Sequence, residues 1–258
     1  MSLRVVVLPT RWLIALVAPL AFVGRVAFAS LRPPSFIAAR VRLGLLLVRS
    51  LPVVVVVSFF SGAMLTVQAA NSLALIGGGP LAGLIVGLGG VREMFPLLAV
   101  ASVAARSGAE FASELGSMRT SQQVDALEVM GIDTMRTLVA PRVIAATLGT
   151  PICVLVACGT GLVGSWVIGT FQLGIDRGSM WSALTGAVVP ADFLVGLLKG
   201  TLLGFLVGCV ATREGLHATK GARGVGSATN QAVVRAMVVV CLASLLMTYA
   251  FYGQAIGG

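Results

Sequence analysis

No residue between Arg49 and Arg92 is charged, and this uncharged run limits what the chain can fold into. An α-helix needs about 20 predominantly apolar residues to cross a bilayer. The run is therefore long enough to complete one crossing and to begin a second. Only 10% of all residues are charged, whereas soluble domains carry about 25%, so the sequence predicts a helical integral membrane protein.

Charged residues and glycines divide the apolar sequence into five predicted membrane-spanning helices, at about 51–75, 80–105, 143–168, 193–212 and 236–256. The first two are joined by a tight glycine turn at 77–80. Too few residues separate Glu93 from Arg106 for a crossing, so the second helix must begin near residue 80. Arg92 and Glu93 then lie near the middle of the membrane. By the same reasoning Lys199 lies inside the fourth helix.

Basic residues are distributed unequally among the segments that connect these helices. Residues 1–50 carry seven arginines and no acidic residue, the connector 106–142 carries four arginines, and the loop 213–235 is basic and glycine-rich. The connectors on the opposite side, near 76–80 and at 170–192, carry a single basic residue, Arg177. Cytoplasmic segments of membrane proteins carry the excess of Lys and Arg. We therefore expect a cytoplasmic N-terminus and, after five crossings, an external C-terminus.

The N-terminal segment 1–50 is set apart from the membrane domain 51–258. Its apolar run at 12–24 is too short to span a bilayer. Residues 27–29 have the A-x-A form of a signal-peptidase site, but Arg25 interrupts the approach to it. An interfacial helix whose arginines lie at the lipid headgroups is therefore the preferred interpretation.

The polar connector 106–142 holds five of the nine acidic residues. Within it the sequence predicts one short amphipathic helix at about 120–131. Thr120 is a suitable N-cap, and Gln123 follows three residues later, which is the spacing of a capping box. Gly131 supplies a C-terminal stop.

The two faces of this predicted helix differ in polarity. Val124, Leu127 and Met130 recur at helical spacing, with Asp125 and Glu128 on the polar side. One interpretation is a connector lying on the membrane surface. The other is a docking helix for a soluble protein, which the acidic side chains favour because anionic lipids attract basic helices.

Arg92, Glu93 and Lys199 are the ionisable residues predicted within the membrane. A charge there is tolerated only beside a partner or in a polar cavity. Adjacent helical residues point about 100° apart, so we expect one of Arg92 and Glu93 to line a cavity and the other to pair. Lys199 is the candidate partner of Glu93, and Asp192 is a second available anion. Two roles fit this pattern, structural neutralisation and the polar lining of a substrate path.

Small residues recur at every fourth position in three predicted helices, which allows helix backbones to approach closely. Packing within the chain is the preferred interpretation, and a dimer interface is the alternative. The three sets are Gly79, Gly83 and Gly87; Ala157, Gly161, Ser165 and Gly169; and Gly196, Gly200, Gly204 and Gly208.

Metal, catalytic and nucleotide sites are not expected from the sequence. The four cysteines lie in apolar segments and His217 is the only histidine, so neither a metal site nor a catalytic triad is predicted. The segment 220–230 fails the phosphate-loop pattern because no Ser or Thr follows Lys220, and it is predicted to be a flexible turn. Membrane topology accounts for the net charge of +9, so neither a cofactor nor nucleic acid is expected.

Four segments have the form of known family motifs: REMFPLL (92–98), ARSGAEFASELGSMRTSQQVDALEVMGIDTMRTLVAPR (105–142), DFLVGLLKG (192–200) and GVGSATNQAVV (224–234). Together they resemble the MlaE/YrbE family of ABC-transporter permeases, which work with Mce-domain proteins in lipid transport. The family usually has glycine before the proline where this chain has Phe95. This departure makes the chain more similar to the actinobacterial branch of the family.

The resemblance implies an all-α membrane fold with an N-terminal interfacial helix, five transmembrane helices and a cytoplasmic coupling helix that matches 120–131. It implies partners as well: an ATPase subunit pair, a second permease that is identical or paralogous, and Mce proteins on the external face of the plasma (inner) membrane. Arg92 and Glu93 match charged residues that line the family's lipid cavity, and Lys199 matches a charged position of the fourth span. The candidates for coupling to the ATPase are Glu114, Arg119, Asp125, Leu127, Glu128 and Met130.

The expected function is that of a non-enzymatic transport subunit. It would move a fatty acid, sterol or phospholipid between the membrane and an Mce conduit, with ATP hydrolysed on a separate chain. The alternative is an ion-coupled secondary carrier that uses Glu93 and Lys199 as a titrating pair. Inverted repeats would favour such a carrier, and inspection of the sequence finds none. A carrier would also leave the acidic docking helix without a role.

Overall fold

The computed structural model describes residues 22–29, 34–74, 81–219 and 221–252, and within them all regular structure is helical. The helices in chain order are α1 (22–29), α2 (Pro34–Ala74), α3 (Ala82–Thr120), α4 (Gln123–Val129), α5 (Met135–Phe171), α6 (Arg177–Ala187), α7 (Pro190–Leu216) and α8 (Ala222–Tyr252). Five of them, α2, α3, α5, α7 and α8, are long and apolar enough to cross a membrane. The predicted all-α membrane fold with five spanning helices is confirmed.

The spanning helices extend well beyond the predicted crossings. Helix α2 begins at Pro34 rather than near residue 51, and α8 begins at Ala222 rather than near residue 236. Charged residues end the membrane-buried part of a helix without ending the helix, because Arg and Glu are good helix formers. They also pair between helices here, as when Glu214 of α7 binds Arg235 of α8 at 2.6 Å.

Two sequence expectations about connectors change as a result. The flexible turn predicted at 220–230 is wrong, because the chain is helical from Ala222 and turns at Gly221, whose φ is +87°. The connector at 170–192 contains the unpredicted helix α6. Its N-cap is Asp176, whose Oδ2 accepts a hydrogen bond from the Ser179 amide at 2.9 Å. The boundary placed at residue 50 falls inside α2 and stays a prediction.

Several expectations concern residues outside those described. The glycine turn at 77–80 lies outside them, and so does most of the predicted interfacial segment 12–24. Of that N-terminal region, 22–29 is described as helix α1. Its Val26 is fully buried in an apolar cluster with Val139, Val143 and Cys209, so α1 packs against the start of α5 and the end of α7.

Helix α3 is irregular at the depth of its charged residues. It changes to wider π-helical turns at Val86–Met94 and again at Ala104–Gly108. Pro96 follows the first of these segments and has no N–H, so the carbonyl of Arg92 lacks its ordinary α-helical donor. Wide turns of this kind inside α-helices occur frequently at functional sites.

Helix α5 is the centre of the bundle and packs against α2 on one side and α7 on another. The small-residue face of α7 allows this close approach. A Cβ atom added at Gly204 would lie 2.6 Å from the Ala146 carbonyl oxygen, and one at Gly208 would lie 3.0 Å from Val143 Cα. The small-residue face of α3 packs closely against α6, since a Cβ at Gly87 would lie 2.6 Å from Ala187 Cβ. These contacts confirm packing within the chain as the use of these faces.

Candidate functional site

The buried lysine of α7 is the centre of a group of polar side chains from three helices. We call the group the charge cluster, and its members are Arg92 and Glu93 of α3, Asp192 and Lys199 of α7, and Thr248 and Tyr252 of α8. Lys199 is only 1% exposed. Its Nζ donates to Glu93 Oε1 at 2.6 Å, to Thr248 Oγ1 at 2.9 Å and to the Arg92 carbonyl at 3.1 Å. All three ammonium hydrogens therefore have acceptors.

The Arg92 carbonyl is available to Lys199 because of Pro96. In a regular α-helix the amide of residue 96 would donate to this carbonyl, and proline has no amide hydrogen. The Lys199 ammonium donates to it instead. The missing amide hydrogen of Pro96 thus leaves the Arg92 carbonyl as an additional acceptor in the charge cluster.

Arg92 and Asp192 form the second ion pair of the charge cluster. Arg92 Nε lies 2.9 Å from Asp192 Oδ1, and Nη2 donates to Oδ2 at 3.2 Å. Asp192 also accepts from the Val189 amide at 3.1 Å and from the Tyr252 hydroxyl at 3.2 Å. The Arg92 guanidinium lies 5.0 Å from the centre of the Tyr252 ring, within the range of a cation–π contact.

The predicted Glu93–Lys199 pair is confirmed, whereas the expectation for Arg92 changes. We expected only one of the two adjacent residues on α3 to be paired, and both are. Asp192 and Lys199 lie seven residues apart on α7, so they occupy the same face and can receive two side chains that diverge from α3. The side chains of Arg92 and Glu93 keep 32% and 39% of their surface exposed, so the charge cluster is open along one edge.

Sequence reasoning missed the contribution of α8. Thr248 accepts from Lys199 and donates to Glu93 Oε1 at 2.7 Å, so it bridges the two members of that pair. Thr248 and Tyr252 are four residues apart and share one helix face with the buried Ser244. Polar residues at this spacing in the apolar C-terminal part of α8 marked a polar face in the sequence, but they did not identify its partners on α3 and α7.

The short helix predicted in the polar connector exists as α4, with a different beginning. Thr120 is the last residue of α3, and its hydroxyl donates to the Ser117 carbonyl at 3.0 Å, so the predicted capping box with Gln123 is wrong. The chain turns instead at Gln122, whose φ is +62°. The stop at Gly131 is confirmed, because the amide of Ile132 donates to the Leu127 carbonyl at 3.0 Å.

The two faces of α4 have different surroundings. Val124 is 2% exposed and Leu127 is half-buried, so this face packs against the bundle. Val129 and Met130 are 89% and 64% exposed, and Glu128 is exposed beside them. Met130 was a sequence candidate for coupling, whereas Val129 was not. Met130, which was predicted on the same face as Val124 and Leu127, is therefore exposed beside Val129 at the end of the helix.

The remaining coupling candidates form ion pairs within the chain. Glu114 of α3 lies 2.8 Å from Arg142 of α5 and also pairs with Arg42 of α2. Arg142 is 3% exposed, and burial penalises its charge unless Glu114 neutralises it. Arg119 at the end of α3 pairs with Asp125 of α4. Glu114 thus joins the ends of three spanning helices, and the Arg119–Asp125 pair joins α4 to the end of α3.

Comparison with known proteins agrees with these features. A family model described as permease MlaE matches residues 42–250, which include all of the charge cluster except Tyr252. A probable ABC transporter permease protein of Rickettsia prowazekii is 34% identical over 223 residues, 86% of each chain. The intermembrane phospholipid transport system permease protein MlaE of Haemophilus influenzae is 28% identical over 207 residues, 80% of this chain and 79% of that one.

A plant protein is also similar. The chloroplastic protein TRIGALACTOSYLDIACYLGLYCEROL 1 of Arabidopsis thaliana is 31% identical over 207 residues, 80% of this chain and 59% of that protein. The matched family region runs through all five long apolar helices and contains the whole of α4. This chain is a multi-pass membrane protein that belongs to the MlaE family of ABC-transporter permeases.

Proposed function

We propose that this chain moves lipid as the permease subunit of an ABC transporter whose ATP is hydrolysed by separate subunits. The observation that carries the proposal is the charge cluster, in which two ion pairs lie among apolar spanning helices and stay open along one edge. A lipid combines a polar head with apolar tails, so its carrier needs a mostly apolar site with a few fixed polar groups. Arg92 and Glu93 would meet the headgroup.

The substrate would be a fatty acid, a sterol or a phospholipid. Arginine suits an anionic head because its planar donors bind carboxylate or phosphate bidentately. Arg92 keeps about a third of its side chain exposed while Asp192 orients it, so it can bind a headgroup without being buried alone. The name of the Haemophilus relative, a phospholipid transport permease, supports the phospholipid class.

The proposed partners are arranged on the two sides of the membrane. An ATPase subunit pair would dock on the cytoplasmic side at α4, where Val129 and Met130 are exposed. A second permease, identical or paralogous, would complete the substrate path, and Mce proteins would receive or deliver lipid on the external side. The location would be the plasma (inner) membrane.

The test is the amount of lipid that copurifies with the transporter after gentle detergent extraction. Arg92→Ala should reduce the bound lipid measured by mass spectrometry. Combining it with Asp192→Asn should keep the complex assembled, because Asp192 is then not left as an unpaired buried charge. Arg223→Ala is the matched control, because Arg223 is exposed and lies outside the charge cluster. Undiminished lipid binding and transport by Arg92→Ala would remove Arg92 from the substrate site and leave it a structural charge.

The ion-coupled carrier is the second candidate, and the contact between Glu93 and Lys199 is the observation that favours it. Membership of the MlaE family of ABC permeases favours the first candidate. Reconstituted vesicles separate the two, since lipid movement should require ATP and the ATPase in one case and an ion gradient in the other. Transport that continues without ATP and stops when the gradient collapses would support the carrier.

A further inference from the structure

A polar pocket outside the charge cluster lies between α2, α3 and α8, and we call it the α2–α3–α8 pocket. Its volume is about 380 Å³. Arg49 of α2 and Thr229 of α8 line it together with five residues of α3, which are Ala105, Arg106, Ala109, Glu110 and Ser113. Arg106 lies about 20 Å from Arg92 along α3, at about 1.5 Å per residue. The pocket is therefore separate from the charge cluster.

Neighbouring contacts hold the two arginines of this pocket in place. Ser50 of α2 and Ser107 of α3 are fully buried, and their hydroxyl oxygens lie 2.9 Å apart in a hydrogen bond. This bond joins the two helices one residue away from Arg49 and Arg106. Arg49 also forms an ion pair with Glu110. The wall that α2 and α3 form is therefore built without a ligand.

Arg106 carries the uncompensated charge of the pocket. It is exposed, and among the described residues none accepts a hydrogen bond from its guanidinium or pairs with it. Glu110 neutralises Arg49, so the two guanidinium groups and one carboxylate leave one net positive charge. Arg42 and Arg142 differ from Arg106, because each of them pairs with a glutamate. The pocket therefore matches a ligand that carries one negative charge.

The pocket lies where the apolar parts of three helices end. Arg49 directly precedes the uncharged run of α2, and Arg106 directly follows the crossing predicted at 80–105. Thr229 precedes the crossing predicted from residue 236 by about two helical turns. The distribution of basic residues favours a cytoplasmic location for this end, and the cytoplasmic leaflet carries anionic lipids. Basic pockets between spanning helices at this level bind lipid headgroups.

We propose that the α2–α3–α8 pocket binds the phosphate of an anionic phospholipid of the cytoplasmic leaflet, with Arg106 as the main donor. A lipid phosphodiester carries one negative charge, and the planar guanidinium can donate two parallel hydrogen bonds to it. In a zwitterionic lipid the amine of the headgroup already balances that charge, so the uncompensated arginine favours an anionic lipid. The hydroxyls of Ser113 and Thr229 add neutral polar groups for the rest of the headgroup.

Position favours a lipid over an acidic side chain of a soluble partner. The proposed docking helix α4 follows Thr120, which lies about 20 Å beyond Arg106 along α3. A partner bound at α4 has to extend over that distance to reach the pocket, whereas lipid headgroups lie directly beside it. The proposal does not depend on which lipid the transporter moves, because Arg106 is remote from the charge cluster.

The first experiment compares phosphatidylglycerol and phosphatidylcholine with identical acyl chains. Native mass spectrometry of the full-length permease in detergent measures the binding of each lipid. Wild-type permease should bind phosphatidylglycerol about tenfold more tightly, as expected for one hydrogen bond to a charged group. Arg106→Gln should lose this preference. The same preference in Arg106→Gln as in the wild type would overturn the proposal.

Arg223→Gln is the matched control for the loss of one positive charge. Arg223 is exposed at the start of α8 and does not line the pocket, so this variant should keep the preference for phosphatidylglycerol. Both variants should unfold at the wild-type temperature, because neither arginine is buried. An equal loss of preference in the two variants would show only general attraction to a basic surface, and would contradict a specific site.

A filled pocket tests the site without changing any charge. Ala105 is exposed on the wall of the pocket, so Ala105→Leu should obstruct it while leaving the core intact. Ala222 is exposed on α8 outside the pocket and supplies the control, Ala222→Leu. Ala105→Leu should weaken phosphatidylglycerol binding at least threefold, and Ala222→Leu should leave it unchanged. Equal binding by the two variants would place the lipid elsewhere.

Two further measurements identify the source of the bound anion. An excess of inorganic phosphate should not displace phosphatidylglycerol, because soluble phosphate lacks the acyl chains that hold the lipid beside the helices. Displacement that depends on Arg106 would assign the pocket to soluble phosphate and overturn the assignment to a lipid. Release of phosphatidylglycerol when the permease assembles with its ATPase would assign the pocket to an acidic partner and would also overturn the proposal.

Discussion

At the scale of residues, the charge cluster is held together by reciprocal neutralisation. Lys199 is more deeply buried than its partner, because the Glu93 side chain keeps 39% of its surface exposed and that of Lys199 keeps 1%. Removing a partner from a buried cation is more damaging than removing the cation and its partner together. Removing Glu93 alone and removing Glu93 together with the charge of Lys199 should therefore have different effects on stability.

Glu93→Ala should destabilise the permease by about 2 kcal/mol, below the 3–5 kcal/mol of a fully buried pair, because water screens the exposed part of Glu93. The cause is the uncompensated charge of Lys199. Thermal unfolding of the purified protein in detergent should show a lower midpoint. Adding Lys199→Met to Glu93→Ala should recover most of the loss, and a double variant no more stable than Glu93→Ala would show that the ion pair is not the cause.

Phe95 illustrates a second residue-scale effect, a match of sizes between neighbours. Phe95 is fully buried, and its ring lies where side chains at Gly90 and Gly161 would otherwise be. A Cβ at Gly161 would lie 2.6 Å from Phe95 Cζ. The phenylalanine that departs from the family pattern is accommodated by glycines on α3 and α5.

Phe95→Ala should therefore cost about 3–5 kcal/mol, because it leaves a cavity in the core. Gly161→Ala should also destabilise the wild-type chain by overpacking against the ring. Combining the two should cost less than the sum of the single changes, as measured by a double-mutant cycle of thermal unfolding. Strict additivity would indicate that the two positions do not share this space.

The charges of the site could be predicted from the sequence, and their aromatic and hydroxyl partners could not. Arg92, Glu93 and Lys199 are conspicuous because charge is rare in apolar helices, and the cost of burying Lys199 alone predicts its pairing with Glu93. Thr248 and Tyr252 carry no such penalty, so nothing in their composition requires a partner on α3 or α7. Their assignment needs the packing of α8, which depends on three-dimensional contacts.

At the scale of elements, helix α4 separates a packed face from an exposed one. Val129→Arg should leave the permease folded and abundant, because Val129 is 89% exposed, and should reduce copurification of the proposed ATPase. Leu127→Arg is the contrasting variant, since Leu127 packs against the bundle and its replacement should also lower permease abundance. The charges of Asp125 and Glu128 would also be reversed together in a further variant. If this variant and Val129→Arg both recover the ATPase and transport normally, α4 is a connector on the membrane surface and does not dock the ATPase.

The existence of the helices was more predictable than their ends. Apolar length and the spacing of charges located all five spanning helices. The ends extend further because Glu110 pairs with Arg49, and Glu114 with Arg42 and Arg142, which allows polar turns to continue past the apolar region. The start of α4 was misplaced for a related reason: α3 continues through Thr120, and a left-handed Gln122 makes the turn. A polar sequence alone does not distinguish a helix extension from a loop.

At the scale of the whole molecule, the two sets of helix ends differ in the side chains that they carry. The connector between α3 and α4 and the one between α7 and α8 lie at ends stabilised by arginine–glutamate pairs. The connector around α6 carries instead the exposed aromatic side chains of Phe171 and Trp181. With the unequal distribution of basic residues, this favours a cytoplasmic location for the α4 surface and an external one for α6.

The orientation can be tested by labelling single cysteines with a membrane-impermeant maleimide in cells. The four native cysteines would first be replaced by alanine. Ser121→Cys, at the exposed turn before α4, should react only after the membrane is permeabilised, and Gln172→Cys, at the exposed end of α5, should react in intact cells. A cysteine at the N-terminus should react only after permeabilisation, like Ser121→Cys. A cysteine at the C-terminus should react in intact cells, like Gln172→Cys, because five crossings place the termini on opposite sides. Reaction of both termini from one side would contradict the five-span topology, whereas reversed reactivity at Ser121 and Gln172 would overturn the orientation and keep the number of crossings.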